Sequence, residues 1–328
     1  MKEDPTDQTL KPFDFSQIME EVPELRKFAC RIDSYTFDPL IDSSDVEPSM
    51  WQAIASLIGE RYDSYDGFVV LHGTDTMSYS ASALSFMLDD LEKPVVFTGS
   101  QLPIGRPRTD GKENLVSAVE IASAKDAEGH ALVPEVTIFF NSKLMRGNRT
   151  TKVSAEDFDA FRSPNIPPLA EAGINIRYNS SLIRHPRTYG KALKVRDALD
   201  TRVSILKVHP GITPQVVSNI LLGAETRAVI IETYGSGNAI SKDWFIRLLK
   251  VADDMGKVLV NVTQCLYGSV NMDIYATGRR LKEAGVVSGF DSTAESMLAK
   301  LFHLMGASAD NAWVKSKLEE NLKGEISE

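Results

Sequence analysis

Residues 67–77 read Gly67-Phe68-Val69-Val70-Leu71-His72-Gly73-Thr74-Asp75-Thr76-Met77. A short apolar run ends here in a small polar turn, and the amphipathic stretch 78–91 follows it. An apolar run of this length, bounded by glycine and followed by a helical pattern, predicts a buried strand that leads into a helix. That pair is half of the βαβ unit from which parallel sheets are built.

The same alternation recurs along the chain. It predicts strands at residues 67–71, 94–97, 136–140, 203–206, 228–231 and 258–262. It predicts helices at residues 50–62, 78–91, 114–125, 213–222, 242–255 and 293–305. Three residues are of the type that caps a helix start, namely Ser49, Thr213 and Ser241. The pattern therefore predicts an α/β protein.

The length of 328 residues is comfortable for two domains. Apolar periodicity lapses into a polar, basic stretch between residues 184 and 202 and restarts after it. We therefore predict a larger N-terminal domain at 1–188, a linker at 189–202 and a smaller C-terminal domain at 203–328. Each domain is expected to hold a mostly parallel sheet flanked by helices.

Composition excludes several classes of protein. The net charge of −9 is spread along the chain without a basic stripe, so nucleic acid is not an expected partner. No apolar stretch approaches the roughly 18 residues that span a bilayer, and the start of the chain has no signal-peptide pattern. Cys30 and Cys265 lie far apart in apolar surroundings, which predicts two buried thiols and a cytoplasmic protein.

In parallel sheets ligands bind beyond the carboxyl ends of the strands, so the chemistry is sought there. Thr74 and Asp75 follow the first predicted strand and precede a helix, where backbone N–H groups favour an anion. A Gly-Thr-Asp turn by itself is more often structural than catalytic, because Thr and Asp are common caps. His72 has no His or Cys at ligand spacing, and no phosphate or dinucleotide loop is present, so neither a metal nor a cofactor is predicted.

The turn at 72–77 occurs together with Gly-Ser-Gln at 99–101 and Arg-Gly-Asn-Arg-Thr-Thr-Lys at 146–152. In this combination the chain resembles the bacterial-type L-asparaginases, in particular their cytoplasmic type I branch, from residue 1 to about 325. The resemblance implies hydrolysis of L-asparagine to L-aspartate and ammonia through an ester on a threonine, without a cofactor.

Site residues follow from the resemblance. It makes Thr74 the second catalytic threonine, Asp75 the catalytic aspartate and Lys152 the catalytic lysine. The resemblance also implies that substrate is held by Thr74, Asp75 and further residues, namely Asp42, Ser43, Ser44, Ser100, Gln101 and, from a neighbouring subunit of a homodimer or homotetramer, Asn238. Without the resemblance, residues 42–45 read equally well as helix-capping residues ahead of Ser49.

Two departures from the family accompany the resemblance. Its nucleophilic threonine and first strand fall just before Met1, so the printed chain is expected to lack the nucleophile and to be inactive. A possible effector site falls on two segments, Glu232-Thr233-Tyr234 and Thr263-Gln264-Cys265, and regulated members have an arginine where this chain has Glu232. Two alternatives stay open, the amidase subunit of a glutamyl-tRNA amidotransferase and a non-catalytic asparagine- or aspartate-binding fragment.

Overall fold

The structure is a computed structural model that describes residues 2–3, 10–11 and 20–327. Met1, next to which the resemblance puts the nucleophilic threonine, lies outside the described residues. The helices of the described part are α1 (Pro48–Arg61), α2 (Met77–Met87), α3 (Gly111–Ser123), α4 (Pro214–Leu221), α5 (Asp243–Asp254), α6 (Ala276–Glu283), α7 (Ala294–Ala307) and α8 (Asn311–Leu318).

The strands range from two to six residues in length. They are β1 (Lys2–Glu3), β2 (Leu10–Lys11), β3 (Phe68–Leu71), β4 (Leu88–Asp89), β5 (Val95–Thr98), β6 (Val136–Phe140), β7 (Lys143–Arg146), β8 (Thr151–Lys152), β9 (Phe161–Arg162), β10 (Ala170–Ala172), β11 (Ile176–Tyr178), β12 (Lys194–Val195), β13 (Val203–Lys207), β14 (Ala228–Thr233), β15 (Val258–Thr263) and β16 (Val286–Ser288).

The chain divides into two compact units. The first holds Met1–Ser163 and Pro167–Val195, and the second holds Pro164–Ile166 and Arg196–Glu328. The second unit therefore takes up the chain at Arg196, within the segment 189–202 for which the sequence predicts a linker. The short segment Pro164–Ile166 joins it because the Asn165 amide donates to the carbonyl oxygens of Gly268 and Asp291.

The sheet of the first unit is mixed. Its strands follow the order β11-β10-β7-β6-β5-β3, in which β3, β5 and β6 are parallel and the other three strands pair in antiparallel fashion. Asn141 and Ser142 adopt positive φ angles between β6 and β7, so the chain reverses in a two-residue hairpin there. The α/β class is confirmed. The antiparallel strands went unpredicted because they lack long apolar runs.

The sheet of the second unit is entirely parallel, in the order β13-β14-β15-β16. Alternate residues of β14 face opposite sides of the sheet. Val229 and Ile231 pack against residues of α4, α5 and α6, whereas Ala228 and Ile230 pack against residues of α7 and α8. A strand buried on both faces explains why its sequence is a continuous apolar run rather than an alternating one.

The six predicted helices are all present, with ends displaced by a few residues. Thr213 caps α4 as predicted, because its side chain accepts a hydrogen bond from the Val216 N–H. Two cap predictions are wrong. Ser49 lies inside α1, which begins at Pro48 because proline suits a first helical turn, and Ser241 stands one residue before the N-cap of α5, Lys242.

The prediction of two buried thiols is wrong. Cys30 and Cys265 are both exposed. Cys265 stands in the loop after β15, which ends at Thr263, so the apolar run that precedes it does not extend to the cysteine. Within the part of the chain that the structure describes, no helix has the length and apolar character that a membrane crossing requires.

Candidate active site

The turn after β3 is fixed from two sides. The His72 N–H donates to the Thr98 carbonyl of β5 at 2.9 Å, which continues the strand pairing into the turn. On the other side, the Thr76 hydroxyl donates to the carbonyl of Ser43 at 2.6 Å, and the Asp75 N–H donates to the Ser43 hydroxyl at 3.4 Å. Gly73 is required here, because a Cβ atom would collide with the Ser43 side chain.

Lys152 joins the turn from a separate hairpin. It lies in β8, which pairs in antiparallel fashion with β9. Its amine donates to the Thr74 hydroxyl at 2.8 Å and to a carboxylate oxygen of Asp75 at 2.7 Å. The Lys152 side chain is 21% exposed and that of Asp75 is 59% exposed, so the amine is sheltered and the carboxylate faces solvent. The structure thus brings together the three predicted catalytic residues.

The segment 42–44 also reaches this turn, through Ser43. Ser43 is buried against residues 73–76, whereas Ser44 is exposed. The Asp42 carboxylate accepts hydrogen bonds from the N–H and the hydroxyl of Ser44, and these bonds lower the pKa of Asp42. Asp42 therefore caps the short 3₁₀ helix Ser43–Asp45. A helix-capping role, the alternative to substrate binding, thus describes the Asp42 side chain, but the capped helix is this 3₁₀ helix and not α1.

Ser100 and Gln101 stand at the neighbouring strand end. Because Leu71 of β3 pairs with Thr98 of β5, the two residues after Thr98 run beside the His72–Gly73 segment. The Gln101 side-chain amide donates to the carbonyl of Asp157 at 3.2 Å, in the hairpin that joins β8 to β9. The segment 99–101 therefore lies between the Thr74 turn and the hairpin that carries Lys152.

A hydrogen-bond chain through Trp51, Ser80 and His72 supports the Thr74 turn. Trp51 Nε1 donates to the Ser80 hydroxyl at 2.9 Å, and that hydroxyl lies 2.9 Å from His72 Nε2. Nδ1 of His72 lies 2.6 Å from the Gly73 carbonyl, which can only accept, so Nδ1 carries the hydrogen and Nε2 of the neutral ring accepts from the Ser80 hydroxyl. Burial lowers the pKa of His72, which keeps the ring neutral. No local pattern indicated this role, because Trp51, His72 and Ser80 meet only in the fold.

Asn238 lies in the second unit, in the turn after β14. Gly235 and Gly237 of that turn both have positive φ angles. The Asn238 N–H donates to the Tyr234 carbonyl at 2.9 Å, and its side-chain oxygen accepts a hydrogen bond from the Thr277 hydroxyl at 2.6 Å. The side chain is thus held in one orientation.

The two segments of the predicted effector site are neighbours in the second sheet. Thr233 pairs with Thr263 in parallel register, and the Gln264 side-chain amide donates to the carbonyl of Glu232 at 2.8 Å. The Cys265 N–H donates to the Thr263 hydroxyl. The Glu232 carboxylate lies 3.6 Å from the Lys207 amine of β13, so Glu232 is paired with a neighbouring lysine, the condition under which its repulsion of an effector carboxylate is weakened. Among the described residues, no group of three or more His, Cys, Asp or Glu side chains could hold a metal ion.

Two family descriptions match the chain, one on each side of the unit boundary. "Asparaginase, N-terminal" matches residues 1–184, and "Glutaminase/Asparaginase C-terminal domain" matches residues 202–317. Two α/β units, with a threonine, an aspartate and a lysine joined at a strand end of the first, define an amidohydrolase. More narrowly, the chain belongs to the asparaginase family.

Individual relatives agree with this assignment. The chain is 47% identical over 305 residues to L-asparaginase 1 of Escherichia coli K12, which covers 93% of this chain and 86% of that protein. The crystal structure of L-asparaginase I from Vibrio cholerae superposes with a TM-score of 0.86 at 42% identity, covering 95% of this chain and 92% of the other. A glutamyl-tRNA(Gln) amidotransferase component of Pyrococcus horikoshii is 33% identical over 315 residues, 96% of this chain and 71% of that protein.

Proposed function

We propose that the protein hydrolyses L-asparagine to L-aspartate and ammonia through an acyl-threonine ester. The observation that carries the proposal is the Lys152 amine, which bonds to the Thr74 hydroxyl and the Asp75 carboxylate at the same time. A threonine hydroxyl is a weak nucleophile until a base removes its proton, and an amine held in this way is suited to move that proton. Membership of the asparaginase family points to the same reaction.

The reaction proceeds in two halves. The hydroxyl of the threonine that the resemblance places just upstream of Met1 attacks the side-chain amide carbon, its proton passes through the relay to the leaving nitrogen, and ammonia departs as the ester forms. Water then cleaves the ester, which releases L-aspartate and restores the hydroxyl. Thr74 serves in the proton relay or positions the water of the second half. General-base help of this kind accelerates a reaction by about 10²- to 10⁴-fold.

The α-carboxylate, the ammonium group and the side-chain amide of asparagine each have a complementary group at the site. The Ser43 hydroxyl suits the α-carboxylate of asparagine, and so do the N–H and hydroxyl of Ser44 once they exchange Asp42 for the substrate. The solvent-facing carboxylate of Asp75 suits the ammonium group. Ser100 and Gln101 line the pocket for the side-chain amide. Backbone N–H groups at the strand-to-helix turns stabilise the oxyanion, each by about 3 kcal/mol in comparable sites.

The proposal is tested in the protein that carries this upstream threonine, which is the wild-type reference for all activity measurements. Lys152 is replaced with methionine, which removes the amine and roughly keeps the side-chain volume. We expect ammonia release from L-asparagine to fall by about 10²-fold or more, because the relay is lost. The matched control is Lys125→Met, since Lys125 also pairs with a carboxylate, Asp66, at 2.8 Å. That control should keep wild-type activity. A Lys152→Met protein with more than about a tenth of the wild-type rate contradicts the assignment.

Two alternatives make different predictions in the same assay. An amidotransferase component needs a charged tRNA and a partner protein, whereas the proposed enzyme releases ammonia from free L-asparagine. A non-catalytic binding protein binds L-asparagine or L-aspartate in a calorimeter but releases no ammonia. The higher identity to L-asparaginase 1, 47% against 33% to the amidotransferase component, supports the hydrolase.

The resemblance to the type I branch also supports a cytoplasmic homodimer or homotetramer in which Asn238 of a neighbouring subunit completes the pocket. The fixed orientation of the Asn238 side chain, held by Thr277, suits such a role. Light scattering of the purified protein measures the mass of the assembly. A monomer that is fully active would contradict this part of the proposal.

A further inference from the structure

Three residues around the start of α3 hold the backbone of the segment 99–102. The Asn114 amide donates to the Gly99 carbonyl at 2.9 Å. The Asp110 carboxylate accepts from the N–H of Gln101 at 3.0 Å with both oxygens and from the N–H of Leu102 at 3.1 Å. The Thr109 hydroxyl donates to the Leu102 carbonyl at 2.9 Å. We call Thr109, Asp110 and Asn114 the clamp.

Asp110 precedes α3, but its carboxylate accepts hydrogen bonds from residues 101 and 102 instead of capping the helix. It occupies the N-cap position of α3 and makes no side-chain cap, and the N–H of Gly111 instead donates to the Thr109 hydroxyl at 3.0 Å. Asn114 is buried, donates to the Asp110 carboxylate at 3.2 Å, and accepts from the N–H of Asn141 at 3.1 Å. The carboxylate is therefore directed at the 101–102 backbone by its neighbours.

The clamped segment contacts both halves of the candidate active site. Gly99 lies directly against the His72 carbonyl, where a Cβ atom would overlap the oxygen. Gln101 reaches the carbonyl of Asp157 in the hairpin that carries Lys152. Ser100 stands between these two contacts, so a shift of the backbone at 101 displaces the pocket wall relative to both Thr74 and Lys152.

We propose that Asp110 is a positioning residue that sets the depth of the side-chain pocket and thereby favours asparagine over the longer glutamine. The inference rests on the proposed hydrolysis and on the placement of Ser100 and Gln101 in the pocket wall. Two charge-assisted hydrogen bonds from consecutive backbone N–H groups fix the wall more firmly than neutral bonds do. A fixed wall excludes one additional methylene group, and a pocket can discriminate a methylene by about 10- to 200-fold.

The first test variant is Asp110→Asn, which keeps the shape of the side chain but replaces one acceptor oxygen by an NH₂ group that faces the backbone donors. We expect KM for L-asparagine to rise by about tenfold or more, because the wall is displaced, while kcat changes less. The preference in kcat/KM for L-asparagine over L-glutamine should fall. Glu113→Gln is the matched control, because it removes one negative charge from the exposed side of the same helical turn and should leave both quantities unchanged.

The second variant, Gly111→Ala, separates positioning from stability. A Cβ atom at Gly111 would lie 3.1 Å from the Cβ of Ser100, so Ser100 must move by a few tenths of an ångström. Gly111 is the first residue of α3, and alanine favours a helix more than glycine does, so we expect the Tm to be unchanged or higher. KM and the asparagine preference should nevertheless change in the same direction as in Asp110→Asn.

The outcomes distinguish this inference from the proposed function. If both variants keep the wild-type KM and preference and only Tm changes, the clamp is structural and the inference is wrong. Calorimetric titration with L-aspartate measures the affinity of the pocket for the product, in the absence of turnover. If the protein that carries the upstream threonine binds L-aspartate but releases no ammonia, the proposed hydrolysis alone is contradicted. Variants that bind L-aspartate with wild-type affinity contradict the clamp.

Discussion

His72 is a single residue whose protonation state is linked to the shape of the catalytic turn. Its neutral ring accepts from Ser80 and donates to the Gly73 carbonyl, and burial lowers its pKa below the ordinary value of 6.5. The unfolded chain therefore binds a proton at this position at a higher pH than the folded protein does. Folding stability rises with pH wherever the unfolded state binds more protons, so His72 makes the protein less stable as the pH falls below about 6.5.

We expect the free energy of unfolding to decrease below about pH 6.5 and to decrease less steeply in His72→Asn. Asparagine keeps a donor for the Gly73 carbonyl but cannot be protonated. One group accounts for a slope of at most about 1.4 kcal/mol per pH unit. Urea unfolding of both proteins between pH 5 and 8 measures the difference. Identical pH dependence in the two proteins would show that His72 is not the titrating group.

Strands β3 and β5 approach each other closely just beyond their last paired residues. Gly99 packs against the His72 carbonyl and also against the side-chain methyl of Met77, at the start of α2. At Gly105, six residues further along the same connection, a Cβ atom would meet nothing within 4 Å. Gly99 is therefore needed because a side chain there would separate β5 from the turn after β3. Gly105, in the same loop, has room for a side chain.

Alanine substitutions test this difference. Gly99→Ala should lower the free energy of unfolding by about 1–3 kcal/mol, the usual range for an overpacked site, and should reduce activity because the Thr74 turn is displaced. Gly105→Ala should leave stability unchanged or raise it by up to about 1 kcal/mol, because it restricts only the unfolded chain. Denaturant unfolding measures both. Equal losses in the two variants would refute the close approach as the cause.

Cooperativity is a property of the whole molecule, and here it depends on whether the segments 232–234 and 263–265 can bind a second asparagine. The resemblance implies that regulated members bind the carboxylate of a second asparagine with an arginine, where this chain has Glu232. Two like charges at 4 Å repel by about 4 kcal/mol at an effective dielectric near 20, which exceeds the 1–3 kcal/mol typical of allosteric coupling. Lys207 offsets part of this repulsion: the Glu232 side chain is 18% exposed, but the Lys207 side chain is 67% exposed, and ion pairs with solvent-exposed charges contribute about 0–1 kcal/mol.

We therefore expect L-asparagine hydrolysis to follow a hyperbolic dependence on substrate, with a Hill coefficient near 1. Steady-state rates over a wide range of L-asparagine concentration measure it. Lys207→Met serves as the companion variant, and it should leave the curve hyperbolic. A sigmoidal curve that becomes hyperbolic in Glu232→Ala would mean that Glu232 takes part in an effector site instead of blocking one.

Local structure is the part of this protein that its sequence specifies without help from the fold. Apolar runs of strand length and amphipathic helical patterns predicted six strands and six helices, because both signals depend only on residues that are close in sequence. The position of Thr74 and Asp75 at a strand end followed from the same pattern. The identity of Lys152 as their partner came only from the resemblance, since 78 residues separate Lys152 from Thr74.

Contacts between distant segments were decided by the tertiary structure alone. Asp110 occupies the N-cap position of α3, yet its carboxylate bonds to residues 101–102, because Thr109 supplies the cap and Asn114 directs the carboxylate. Cys265 follows an apolar run but is exposed, because strand β15 ends two residues before it. The direction of a polar side chain depends on which donors the fold brings within about 3 Å, and no local pattern specifies those donors.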